Sequence, residues 1–99
     1  MLNQIKITLK DQTLFLAGEL NFHNVMSAYQ DSLKYLDKLP HYQFDFSQVK
    51  KSNSAGLALI FEWIKCAKIH QKTIRFSGIS AHLLSIAKVA DCDGLIRIA

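Results

Sequence analysis

The chain has 99 residues, of which 49% are hydrophobic and 20% charged, a balance that fits one globular domain and excludes disordered and fibrous classes. Lys and Arg outnumber Asp and Glu by 12 to 8, a net charge of +4, which permits an acidic partner, an anionic membrane surface or nucleic acid and selects none of them. One proline and four scattered glycines leave no linker, repeat or low-complexity tract, so residues 1–99 are predicted to form a single domain.

Ile5, Ile7 and Leu9 alternate with Lys6, Thr8 and Lys10, the period of a half-buried strand. Asp11-Gln12 is a tight turn, and Thr13 to Ala17, closed by Gly18, returns as the second strand of an antiparallel hairpin. A helix follows, with Asn21 as its cap, Phe22, Val25, Met26, Tyr29, Leu33 and Leu36 on its apolar face, and Pro40 as its stop. His41 to Phe46 has the aromatic content of a strand, expected to pair in parallel with an earlier one because a helix precedes it. Ser47 to Asn53 reads as a polar loop.

A second helix is predicted from Ser54 to about His70. Leu57, Ile60, Phe61, Ile64 and Ala67 lie on one face, with Leu59, Trp63 and Cys66 beside it, a broad apolar arc. Thr73 to Phe76 is a short strand closed by Ser77-Gly78. Ser80 caps a third helix carrying Leu83, Leu84, Ile86, Ala87 and Ala90, which Asp91 to Gly94 breaks. Leu95 to Ile98 fits either an edge strand or a helical turn. The order β-β-α-β-α-β-α predicts an α/β fold, one mixed β-sheet with helices packed against it.

The longest apolar run, Ala55 to Phe61, stops at Glu62, short of the ~20 residues that cross a bilayer, so no direct membrane insertion is expected. Met1 to Gln4 does not resemble a signal peptide, and a soluble cytoplasmic protein is the expectation. Cys66 and Cys92 are far apart without a CxxC and read as buried reduced thiols. His23, His41, His70 and His82 fall on four different elements, so no metal is predicted. Neither GxGxxG nor GxxxxGK[ST] occurs, so no nucleotide or other cofactor is predicted. Without a GxSxG elbow the chain is not expected to be an enzyme. Its positive charges are spread, and Phe15, Phe44, Phe46 and Phe76 sit at strand positions expected in the core, so no nucleic-acid partner is predicted.

The most informative stretch is Lys50 to Leu59, K-K-S-N-S-A-G-L-A-L, where hydroxyls and an amide meet a helix N-terminus whose backbone N–H groups and dipole favour oxygen acceptors and anions. Asn53 or Ser54 as helix cap accounts for it structurally; a phosphate on Ser54 would remodel any interface there. Gly56 in the first turn costs helix stability and implies a close neighbour, either the preceding strand or a partner chain. Trp63, off the main apolar face, fits either an interface anchor or the flank of the core.

These residues resemble the STAS domain family over nearly the whole chain. The matching pieces are L-F-L-A-G-E-L at 14–20, F-D-F-S-Q-V at 44–49, S-N-S-A-G-L-A-L at 52–59 and I-R-F-S-G-I at 74–79. Within the family, the short stand-alone chain and its S-A-G-L-A-L-I-F are most similar to MlaB-like subunits of Mla-type phospholipid-transport ABC systems. That resemblance implies a non-catalytic accessory subunit that binds the cytoplasmic ATPase, in one complex with permease and substrate-binding subunits, peripheral to the inner membrane. It would support assembly and activity in phospholipid transport that maintains outer-membrane lipid asymmetry. The family's helix-start hydroxyl falls on Ser54, the phosphorylation site in the anti-sigma-factor antagonists, where an aspartate usually precedes it and this chain has Asn53. The resemblance therefore implies partner binding through Ser52, Asn53, Ser54, Ala55, Gly56, Leu59 and Trp63, and, as the alternative, an antagonist phosphorylated on Ser54 by a partner kinase.

Overall fold

A two-residue turn sets the register of the hairpin that opens the sheet. In the computed structural model, which describes residues 5–89, Asp11 and Gln12 both take positive φ, 50° and 65°, the backbone whose twist matches a hairpin. Strand β1 (Ile5–Lys10) thereby pairs antiparallel with β2 (Thr13–Leu20), Lys10 opposite Thr13 and Ile7 opposite Leu16. Helix α1 (Val25–Leu36) leads to β3 (Tyr42–Ser52), α2 (Ser54–Ile69) to β4 (Ile74–Ser77), and α3 (Ala81–Val89) follows. β2, β3 and β4 run parallel, giving a four-stranded mixed sheet in the order β1-β2-β3-β4. The predicted element order and fold class are those observed. The predicted breaker 91–94, the segment 95–98, Ala90 and Cys92 lie outside the described residues.

Pairing and burial divide the sheet into two faces. Leu14, Leu16 and Leu20 of β2, Tyr42, Phe44 and Phe46 of β3 and Phe76 of β4 are buried beneath the helices. The opposite face carries Lys6, Thr8, Thr13, Gln43, Asp45, Arg75 and Ser77, with Thr13 Oγ1 donating to Gln43 Oε1 at 3.0 Å. Phe15 belongs to this second face, half-buried opposite Thr8 and Asp45, and not to the core expected for it. α2 packs against the sheet, α1 and α3, which is why its apolar arc is broad and buries Leu57, Leu59, Ile60, Trp63, Cys66 and Ala67.

Two sequence expectations fail for identifiable reasons. β3 runs on to Ser52, through the segment read as a polar loop. Against β2, the partners pass from Phe15/Asp45 to Ala17/Gln48 and from Gly18/Val49 to Glu19/Lys51, so β3 carries an extra residue at each step. Such bulges reset the alternation that announces a strand. Likewise α1 begins at Val25, after Asn24 rather than Asn21. Asn24 Oδ1 accepts from the Asn21 N–H at 3.0 Å, Asn24 Nδ2 donates to the Glu19 carbonyl at 2.7 Å, and Asn21 Oδ1 accepts from the His23 N–H at 2.8 Å. These bonds hold 21–24 as a turn, and they leave Phe22 and Met26 67% and 64% exposed instead of on the core face.

Candidate functional site

β2, β3 and β4 each pass directly into a helix, so the N-termini of α1, α2 and α3 gather at one end of the sheet. This is the end at which open α/β sheets place their sites. Leu20 pairs with Ser52 there, which sets the β2–α1 turn beside the start of α2. A cleft of about 480 Å³ opens between them. Buried Leu20, Phe46 and Leu83 line it together with exposed Lys50, Lys51 and His82, and Glu19 supplies one carboxylate.

Asn53 is the cap of α2. Its φ is −105° and ψ −164°, outside the helix, and Oδ1 accepts the Ala55 N–H at 2.8 Å while its carbonyl accepts the Gly56 N–H at 2.9 Å. Ser54 is thereby relieved of the capping role and stands exposed as the first helical residue, its hydroxyl without a hydrogen bond among the described residues. Ser52 Oγ donates to the Asn53 carbonyl at 3.1 Å. The close neighbour of Gly56 is the chain's own strand: a Cβ there would collide with Ser52 Oγ and meet Leu20.

The seven residues assigned to partner binding therefore divide. Asn53 and Ser54 are exposed, and Ser52 is half-buried at the cleft. Ala55, Gly56 and Leu59 are buried under the first turns of α2. Trp63 is 0% exposed, which puts it in the core and takes it out of the surface implied for partner binding. Its indole stacks on Phe44 at 3.9 Å between centroids, meets Phe46 edge-on at 6.1 Å, and donates from Nε1 to Ser32 Oγ at 2.8 Å. The aromatic strands β3 and β4 form the floor under α2, and the indole N–H finds its acceptor on α1. Sequence reasoning missed Glu19, Ser80 and His82 as neighbours of this loop. The available signal was Ser80, whose Oγ accepts the Leu83 N–H at 3.0 Å and caps a helix that follows a parallel strand, hence one starting at the same end.

Among the described residues no group of three His, Cys, Asp or Glu comes together to hold a metal, and no helix is long and apolar enough to cross a membrane. The site brings together a hydroxyl outside the capping role, a neutral cap, two lysines and one carboxylate, Glu19, which lies opposite Lys51 in the sheet register.

Comparison with known families decides the lineage. The model of the family described as "Mlab, STAS domain" matches residues 3–97. The chain belongs to the STAS domain family. No curated protein matches it by sequence. Among solved structures, this STAS domain is similar to the anti-sigma factor antagonist SpoIIAA in its unphosphorylated form, with a TM-score of 0.72, 12% identity, and coverage of 97% of this chain and 88% of that one. It is also similar to a serine-to-glutamate variant of RsbS from Moorella thermoacetica, with a TM-score of 0.65, 13% identity, and coverage of 88% and 77%. At these identities the likeness is one of fold.

Proposed function

We propose that this STAS domain is a non-catalytic accessory subunit that docks on the cytoplasmic ATPase of an Mla-type ABC transporter. It supports assembly and activity of a complex with permease and substrate-binding subunits, in phospholipid transport that maintains outer-membrane lipid asymmetry. The observation that carries this reading is the surface at the start of α2: an exposed Ser54 hydroxyl, released from capping by Asn53, at the end of a cleft lined by Asn53, Lys50 and Lys51 with Glu19. A neutral cap and two lysines suit an acidic face on a partner. The family description that matches residues 3–97 supports the same reading. Association with the inner membrane is then peripheral, through the complex.

The test is to tag the chain in its host, solubilise the membranes in mild detergent, purify and identify what copurifies. An ATPase with an integral permease is expected. Ser54→Arg places a bulky side chain on the exposed first turn, so it abolishes copurification by steric block, while a cation at the N-terminus of α2 lowers the melting temperature only slightly. Retention of the ATPase by Ser54→Arg moves the docking surface elsewhere.

One observation favours a second reading, that of an anti-sigma-factor antagonist phosphorylated on Ser54. The fold is similar to that of SpoIIAA, and Ser54 is exposed, as a phosphorylation site has to be. A soluble histidine-kinase-like protein in the purification, together with a phosphate on Ser54 after incubation with it and ATP, selects this reading over the transporter.

A further inference from the structure

The large apolar side chains left exposed among the described residues are Leu9, Phe22, Met26 and Ile69. Leu9 and Ile69 stand singly, on β1 and at the last residue of α2, and single exposed apolar residues are ordinary. Phe22 and Met26 are different. They lie four positions apart across the entry to α1, and each keeps most of its surface in water.

The turn that presents Phe22 is built. Asn24 is buried; its Nδ2 donates to the Glu19 carbonyl and its Oδ1 accepts the Asn21 N–H, while Asn21 Oδ1 accepts the His23 N–H. The backbone N–H groups of Asn24 and Val25 both donate to the Asn21 carbonyl, at 3.2 and 3.1 Å. These bonds hold the phenyl ring away from the core face that the helical period assigns to it. Backbone fixed in this way has been ordered during folding, so covering the ring costs little further entropy on association.

Charge adjoins the apolar pair. Asn21, next in the chain to Phe22, lines the same cleft as Lys50, Lys51 and Asn53, so Phe22 stands beside the cationic start of α2. A second copy docked face to face on this surface brings the same lysines against one another, which disfavours self-association. A lipid surface is level, whereas here a knob stands beside a recess of about 480 Å³, relief that a folded protein surface complements.

We propose that Phe22 and Met26 are the apolar anchor of the docking surface, seated in an apolar recess of the partner ATPase whose bordering carboxylates face Lys50 and Lys51. The inference rests on the docking reading of the α2 start and adds a division of labour to it. The lysines steer and orient the encounter, and Phe22 and Met26 hold the complex by burying apolar surface.

The test measures the affinity of the full chain for the ATPase that copurifies with the parent, at low and high salt, alongside the melting temperature and sedimentation of the free chain. Phe22→Ala weakens binding by about thirtyfold, the scale of an interface hot spot, and Met26→Ala by about tenfold. Both losses persist at high salt, whereas the loss caused by Lys50→Ala with Lys51→Ala shrinks as salt is added. Phe22→Leu keeps most of the affinity. Neither alanine variant lowers the melting temperature, since both side chains lie outside the core. An ATPase bound equally by the parent and by Phe22→Ala overturns this inference and leaves the docking reading standing; if the parent brings down no ATPase, the docking reading falls and this inference with it. A dimer of the free chain that Phe22→Ala dissolves, or binding to phosphatidylglycerol vesicles that Phe22→Ala abolishes, with ATPase affinity unchanged, assigns the patch to a second copy or to lipid and likewise overturns the proposal.

Discussion

The Trp63 indole N–H donates to Ser32 Oγ at 2.8 Å, and the same hydroxyl donates to the Tyr29 carbonyl at 2.7 Å, tying α2 to α1 through a fully buried serine. One hydroxyl thus satisfies a donor that the apolar core cannot. Ser32→Ala leaves that N–H unpaired among Phe44 and Phe46, a loss of about 1–3 kcal/mol. Urea unfolding followed by tryptophan fluorescence measures it. The double variant Ser32→Ala, Trp63→Phe costs less than the sum of the two single changes, because removing the indole removes the orphaned donor.

Gly78 and Gly56 are separated by what a methyl group would meet. At Gly78 φ is +71°, and a Cβ would stand 2.6 Å from the Ser47 backbone nitrogen and 2.9 Å from its Cα. Both strain and collision oppose it, so Gly78→Ala destabilises by roughly 2 kcal/mol or more. At Gly56 the obstructing atom is the hydroxyl of Ser52, which turns aside by rotation about χ1. The gain of about 0.5–1 kcal/mol from alanine in a helix then offsets the crowding, and Gly56→Ala stays within about 1 kcal/mol of the parent. Parallel urea titrations separate the two, and equal losses refute the distinction.

The sheet and helix order was legible because hydrophobic period and caps report local structure directly. Asp11-Gln12, the run from Ser54 and the Ser80 cap each announce an element, and each is there. What misled were positions where tertiary pairing overrides period. The bulges of β3 hide a strand in S-Q-V-K-K-S, and two asparagine side chains convert the expected first turn of α1 into a connection, exposing Phe22 and Met26. The position of Ser54 was readable from its spacing. The burial of Trp63 was not, since it depends on Ser32 and Phe44, residues 31 and 19 positions away whose approach the sequence does not state.

Alkaline stability isolates Tyr42. Its folded-state pKa of about 12 lies above the ordinary phenol value of 10, chiefly through burial. Between those values the unfolded chain has lost the proton and the folded chain keeps it, so the unfolded state binds fewer protons and stability falls as pH rises. Below about pH 10 the contribution is fully present. Urea midpoints across this alkaline window decline less steeply for Tyr42→Phe than for the parent. Tyr29, raised in the same direction, accounts for part of the slope that remains. Identical slopes contradict the assignment.

Asn53 allows the capping and docking roles of the α2 start to be tested apart. Asn53→Asp keeps an oxygen for the Ala55 N–H and adds a negative charge at a helix N-terminus, worth about 0.3–1 kcal/mol, so the melting temperature holds or rises. The same change lowers the net positive charge beside Lys50 and Lys51, and an acidic partner surface then binds less tightly, with the difference shrinking as salt is added. Asn53→Ala does the reverse, costing about 1 kcal/mol of stability by loss of the cap and leaving the cationic rim intact. Affinity for the copurified ATPase at two ionic strengths, read beside the melting temperatures, distinguishes the two. If Asn53→Asp binds as the parent does at low salt, the attraction between this rim and the partner plays no part in docking.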